Sequence, residues 1–228
     1  MPSYDIERAL RDEGYAVICG VDEAGRGPLC GSVVAAACIL PDGLEIPELN
    51  DSKKLTPKKR DKLFDLIKEK AIAYGIAEGT VEEINELNIL EADLLAMRRA
   101  IDGLHTPDGT PYKADFAIID GNIDRDFQIP ARAVVKGDSL SMSIAAASIL
   151  AKVTRDRMCE DMDKAYPQYG IAKHKGYGTK EHIAPQEEHR GFPAPLPLSP
   201  FYPPDLDRRV DSPALSGRGS RPSGRTSG

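Results

Sequence analysis

Residues 15–40 read YAVICGVDEAGRGPLCGSVVAAACIL. Two apolar, β-branched runs, Tyr15–Val21 and Ser32–Leu40, have the length and composition of strands. Between them lies Gly25-Arg26-Gly27-Pro28, whose glycines permit a sharp change of direction. Two acids, Asp22 and Glu23, follow the first run at once. Neighbouring side chains in a regular strand point to opposite faces, so both acids reach one site only if the strand breaks there. Gly25 and Gly27 permit such a break. Taken alone, Asp22 also fits ordinary turn chemistry.

Working outward, the punctuation is that of an α/β chain. Tyr74–Gly79 has the pattern of a third strand, weakened by Gly75. Thr56-Pro57 reads as an N-cap followed by proline at the first helical position, and Leu63, Ile67 and Ala71 recur at spacing four. That predicts a helix over Pro57 to Ala71. Thr80 with Glu83, and Asn88 with Glu91, have capping-box spacing. From Asn88 onward, Leu90, Leu94, Met97 and Ile101 form one helical stripe. Phe116–Ile119 and Ala131–Val135 are short strand candidates. A long helix is expected from Ser141 to about Ala165, and its start at Ala145-Ala146-Ala147 would let it lie close on a sheet. The order of elements predicts a mixed five-stranded sheet, an antiparallel meander with parallel additions, flanked by helices.

Composition sets limits. The chain has 228 residues, 41% of them hydrophobic, with no tryptophan and 6% aromatics, so its core must be aliphatic. Cys19, Cys30, Cys38 and Cys159 form no C-x-x-C pair and read as buried, reduced thiols of a cytoplasmic protein. No secretory h-region and no apolar run near membrane-spanning length is present in the sequence. Eight of the 18 prolines fall after Gly191, and residues 199–228 read as a disordered Pro/Gly/Ser/Arg-rich tail beyond a domain of residues 1–198. Net charge is −6; the tail carries five arginines against three aspartates, so the rest is near −8. Any binding to nucleic acid must then rest on a local basic patch and on metal, with affinity that falls steeply with salt.

Four carboxyl groups stand at the ends of these elements. Besides Asp22 and Glu23 there is Asp120, placed after Phe116-Ala117-Ile118-Ile119 and before Gly121. Open α/β sheets put their sites beyond the carboxyl ends of strands. Asp138, in Lys136-Gly137-Asp138-Ser139, precedes the long helix and on its own also fits helix-end compensation. An all-oxygen set without Cys or His suits Mg²⁺ or Mn²⁺ rather than Zn²⁺. Clustered acids repel one another unless a cation lies among them.

These blocks resemble ribonuclease HII. The resemblance runs through DEAGRGP at 22–28, NDSKKL at 50–55, NELNIL at 85–90, IDGN at 119–122, VKGD at 135–138, SIAAASILAKVTRD at 143–156 and HKGYGT at 174–179. It implies an RNase H-like fold with Asp22, Glu23, Asp120 and Asp138 as catalytic and metal-binding residues for Mn²⁺ or Mg²⁺. It implies that Gly25, Arg26 and Gly27 approach the ribose at the cut and that Tyr177 packs on the sugar beside it. Lys53, Lys54, Lys152, Arg155, His174 and Lys175 are expected along the phosphate track. The implied reaction is two-metal hydrolysis of the RNA strand of RNA–DNA hybrids, and of duplex DNA 5′ of an embedded ribonucleotide, leaving 3′-hydroxyl and 5′-phosphate ends. His182 and His189 are assigned no role. Other RNase H-like nucleases, such as junction resolvases, share the carboxylate logic but lack the Gly25-Arg26-Gly27 and Tyr177 blocks. A non-catalytic nucleic-acid-binding paralogue would gain nothing from a cluster of acids. The extra N-terminal domain of ribonuclease HIII has no room ahead of Asp22. A monomer is expected, with no membrane partner.

Overall fold

A computed structural model gives the protein's structure and describes residues 2–49 and 55–178. In chain order these form α1 (Asp5–Asp12), β1 (Ile18–Ala24), β2 (Val33–Ile39), α2 (Pro57–Lys70), β3 (Ala73–Gly79), α3 (Val81–Leu87), α4 (Ile89–Asp102), β4 (Phe116–Asp120), β5 (Ala131–Val134), α5 (Met142–Ala165) and α6 (Ile171–His174). The proposed tail, Lys53, Lys54, His182 and His189 lie outside the described residues.

The five strands make one sheet in the order β3-β2-β1-β4-β5. Strands β1, β2 and β3 pair antiparallel, and β4 and β5 are added in parallel, as the sequence pattern predicts. Alternation along β1 divides the core. Ile18 faces α5 together with Phe116, Ile118 and Ile144. Cys19 and Val21 face α4 together with Ala35, Ala37, Ala92, Leu94 and Met97. No described helix is long and apolar enough to cross a membrane. All four cysteines are free and buried.

Two features place the site. Helix α5 crosses directly over β1 at Gly20, where an added Cβ would lie 2.2 Å from the backbone of Ser143. Only glycine admits that approach, and the alanines at 145–147, all fully buried, continue it along the helix. Strand β1 also runs further than the apolar pattern indicates. It does not break at Asp22 but stays paired to Ala24, with Asp22 opposite Ala36 and Glu23 opposite Ala35. The uninterrupted partner β2 overrides the turn signal of the acids. The expectation of a broken strand is therefore corrected: Asp22 and Glu23 leave β1 on opposite faces.

Candidate active site

Asp22 and Asp120 belong to adjacent parallel strands paired through Val21 and Ile119. One further step along each strand puts both acids at the carboxyl end of the sheet and on the same side of it. Asp22 is buried, and its Oδ1 accepts a hydrogen bond from the Glu23 amide at 2.8 Å. Burial pushes its carboxyl well above the ordinary range, and the charges of Glu23 and Asp120 add to that rise. A hydrogen bond from Ser148 of α5 opposes it. Glu23 is likewise raised, first by burial and also by Asp120, with Arg26 opposing. Although Glu23 leaves β1 on the other face, both acids feel Asp120.

Asp138 is held by a linked turn. Oδ1 of Asp120 accepts the Gly137 amide at 2.6 Å, and the Gly137 carbonyl accepts the amides of Leu140 and Ser141. Residues Gly137–Ser139 form a single 3-10 turn after Lys136, which adopts left-handed backbone at φ 59°. The buried Asp138 thus follows directly on the residue bound to Asp120. Among the described residues, no three His, Cys, Asp or Glu side chains already converge on one point. The fit to a divalent cation rests on donor chemistry. The charges of Glu23 and Asp120 raise the proton affinity of Asp22, and that of Asp120 raises Glu23, the condition a hard cation relieves.

A fifth acid, Asp93 of α4, was not anticipated. It is 1% exposed, its Oδ2 lies 3.8 Å from Arg26 Nη1, and its Oδ1 is buried without a hydrogen-bond partner. Burial first and Glu23 second push it up to about 8, against the pull of Arg26. Asp93, Arg26, Asp120 and Asn122 line one narrow cleft.

The two loops beside the acids dock on each other. Gly25 has φ +111°, a left-handed conformation that favours glycine, and a Cβ there would lie 2.2 Å from Arg155 Nε. The Leu29 amide donates to the Gly176 carbonyl at 2.8 Å, and the half-exposed Tyr177 ring comes within 3.5 Å of a Cβ placed on Gly27. Gly25-Arg26-Gly27 and Tyr177 are therefore neighbours across one surface.

Comparison with known proteins bears on this arrangement. The sequence model of the family described as Ribonuclease HII matches residues 19–194. The chain belongs to the ribonuclease HII family. Ribonuclease HII of Aliivibrio fischeri (strain MJ11) is 56% identical over 177 residues, covering 78% of this chain and 83% of that protein. The crystal structure of ribonuclease H2 from Pyrococcus horikoshii OT3 has a TM-score of 0.64 and 28% identity, over 81% of this chain and 92% of that one. Bst-RNase HIII, solved in complex with Mn²⁺, has a TM-score of 0.55 at 22% identity, over 70% of this chain and 58% of that one, and shows the shared fold alone. As a ribonuclease HII family member the chain is an endoribonuclease with a family-wide dependence on metal.

In this family member, two of the basic residues expected on a phosphate track sit elsewhere. Arg155 is 2% exposed. Its Nη2 donates to the Cys30 carbonyl at 2.9 Å, its Nη1 to the Lys175 carbonyl at 2.9 Å and to Cys159 Sγ at 3.1 Å, and its Nε to the Ser32 carbonyl at 3.3 Å. The guanidinium is consumed in tying the Gly25–Ser32 loop to the Tyr177 loop. His174 is buried too, with Nδ1 accepting the Gly176 amide and Nε2 donating to the Tyr169 carbonyl. Both brace the Gly25–Ser32 and Tyr177 loops, and neither is placed to meet phosphate from solvent.

Lys152 and Lys175 do lie together. They line a cleft of about 600 Å³ between α2 and α5, with Arg60, Arg157 and Asp156. Lys152 pairs with Asp156 at 2.7 Å, Lys175 with Glu160 at 2.9 Å, and Arg60 with Asp156 at 3.3 Å.

Proposed function

We propose that this endoribonuclease hydrolyses the RNA strand of RNA–DNA hybrids and incises duplex DNA on the 5′ side of an embedded ribonucleotide, leaving 3′-hydroxyl and 5′-phosphate ends. The observation that carries the reading is the cluster at the carboxyl ends of β1 and β4, where Glu23 and Asp120 push up Asp22, Asp120 pushes up Glu23, and no Cys or His takes part. Asp22, Glu23, Asp120 and Asp138 are the residues that would hold Mn²⁺ or Mg²⁺. A pair of such ions would supply an activated water and offset charge on the leaving 3′ oxygen.

The chain's own groups do the rest. Hydrogen bonds from Ser148 and from the Glu23 amide orient Asp22 and favour its charged form. The Gly137 amide fixes Asp120 and so aligns Asp138. Gly25 and Gly27 leave the backbone bare beside Arg26 and Tyr177, and a 2′-hydroxyl is what separates RNA from DNA at a single position. Tyr177 offers a half-exposed ring for the sugar next to it. Arg26, beside Asp93, offers a cation to the adjoining phosphate. Lys152 and Lys175, with Arg60 and Arg157, offer further cations in a separate cleft beside α5, alongside Asp61, Asp156 and Glu160. Exposed large apolar side chains among the described residues are only Leu87, Val135, Leu140 and Tyr177, few enough to support a monomer at work.

The test is cleavage of a labelled RNA–DNA hybrid by the wild-type chain and by Asp120→Asn, each with Mn²⁺, with Mg²⁺ and with chelator. Metal-dependent cutting of the RNA strand that the substitution abolishes supports the reading. Cutting that survives in chelator, or in Asp120→Asn, removes it.

A further inference from the structure

Helix α1 lies ahead of the stretch that matches the family, yet it reaches under the candidate site. Its Glu7 is 1% exposed. Oε1 accepts the Ser141 hydroxyl at 2.6 Å and the Ser143 amide at 3.1 Å, while Oε2 is buried with no hydrogen-bond partner. A buried polar atom left unpaired costs roughly 1–3 kcal/mol. Packing alone would be better served by an apolar side chain, so what Oε1 does must offset that cost.

The contact falls on the first turn of α5, where backbone amides lack partners within the helix. Ser143 gives one such amide to Glu7. Ser141, the N-cap, accepts another from Ile144 at 3.2 Å while donating its own proton to Glu7. The same turn is bracketed by Ser3, whose amide donates to the Leu140 carbonyl at 2.9 Å and whose carbonyl accepts the Met142 amide at 3.0 Å. Ser141 in turn binds the Gly137 carbonyl, and Gly137 binds Asp120. A continuous path of hydrogen bonds therefore runs from Glu7 through Ser141 and Gly137 to Asp120, and Asp138 sits inside the turn that this path pins.

We infer that Glu7 is a positioning residue. Acting through Ser141 and Ser143, it holds the Gly137–Ser141 turn so that Asp138 is presented beside Asp120 for a divalent cation. The inference rests on reading the four carboxyls as a metal site.

The test is calorimetric titration of the full chain with Mn²⁺, without nucleic acid, for wild type, Glu7→Ala, Glu7→Gln and Ser141→Ala. Thermal unfolding of each is followed in chelator. Loss of a partner that orients a metal ligand typically weakens affinity by about 10–100-fold. Glu7→Ala is expected at about the tenfold end, because it acts on one ligand of four and through the backbone. Glu7→Gln, whose amide oxygen can accept the same two bonds, restores wild-type affinity. Ser141→Ala weakens binding as Glu7→Ala does, and the double variant adds little further, since both cut one path. If Glu7→Ala melts earlier but binds Mn²⁺ as wild type does, Glu7 serves only the fold and the inference is overturned. Should Glu7→Ala fail to fold, Ser141→Ala decides on the same terms. A folded wild-type chain that binds no Mn²⁺ overturns the underlying reading of the four carboxyls.

Discussion

Replacing Arg155 by methionine keeps much of the side-chain volume and removes the guanidinium. Three backbone carbonyls, of Cys30, Ser32 and Lys175, then lose their donor. Hydrogen bonds to a charged group contribute roughly 1.5–3 kcal/mol each. The low end applies, because removing the guanidinium also removes the cost of burying it. Three bonds at that value come to about 4.5 kcal/mol, a large part of a typical domain stability of roughly 5–15 kcal/mol. For a chain of this size each kcal/mol is worth about 2–4 °C, so the melting temperature should fall by about 9–18 °C. Arg155→Lys retains one compact cation, reaches one carbonyl at a time and recovers about a third of the loss or less. The assay is thermal unfolding together with steady-state cleavage of a duplex carrying one ribonucleotide. Because the tie joins the Gly25–Ser32 loop to the Tyr177 loop and touches none of the four acids, Arg155→Lys should raise KM more than it lowers kcat. Gly25→Ala supplies a cross-check, since its methyl would lie 2.2 Å from Arg155 Nε. The two substitutions should combine non-additively. A melting temperature for Arg155→Met within about 2 °C of wild type, with KM unchanged, would refute the reasoning.

Tyr177→Ala should leave thermal stability near wild type, because the ring is half exposed, and should raise KM for ribonucleotide-containing duplex about tenfold, as expected for loss of a stacking ring; an unchanged KM assigns the sugar contact to another group. Asp93 gives a pH signature in chelator. Burial and Glu23 raise its folded pKa from the ordinary 3.8 to about 8, so the folded chain keeps a proton that the unfolded chain releases. Its contribution is fully present below about pH 4 and is lost as pH rises towards 8, at up to about 1.4 kcal/mol per pH unit. Urea unfolding at several pH values should show that decline in wild type and a shallower one in Asp93→Asn; identical slopes would exclude Asp93 as its source.

Much of the sheet was legible because the strands are short apolar runs bounded by glycine, proline or acid. What failed did so for identifiable reasons. The end of β1 was misread because Asp22 and Glu23 look like turn residues, and only the pairing with Ala35 and Ala36 of β2 reveals the strand continuing beneath them. Gly75 reads as a weak point in β3, yet it lets the Ala100 carbonyl of α4 come against the strand, 2.1 Å from where a Cβ would stand. Helix α1 is amphipathic but only eight residues long, about two turns, and the acid Glu7 on its inward face reads from sequence as a surface residue.

The four candidate acids stand out in the sequence because each follows an apolar run or precedes a helix. Residues whose role depends on burial could not. Arg155 in a basic, polar stretch reads as a surface cation; the available hint was Cys159 one turn later, which marks a buried face of α5. Asp93 falls three residues after Leu90 and four before Met97, within the apolar stripe of α4, and an acid in such a stripe is itself a signal. Its meaning emerges only once Arg26 and Glu23 are seen beside it.

The most direct test of the central claim is incision of duplex DNA carrying a single ribonucleotide, with both product ends mapped, by wild type and by Asp22→Asn in Mn²⁺. A single nick at the phosphate on the 5′ side of the ribonucleotide, leaving a 3′-hydroxyl and a 5′-phosphate, and lost in Asp22→Asn, is the predicted result. No incision of that duplex, or equal cutting of the same duplex without the ribonucleotide, would contradict the account of Gly25-Arg26-Gly27 and Tyr177 as the surface that reads the 2′-hydroxyl.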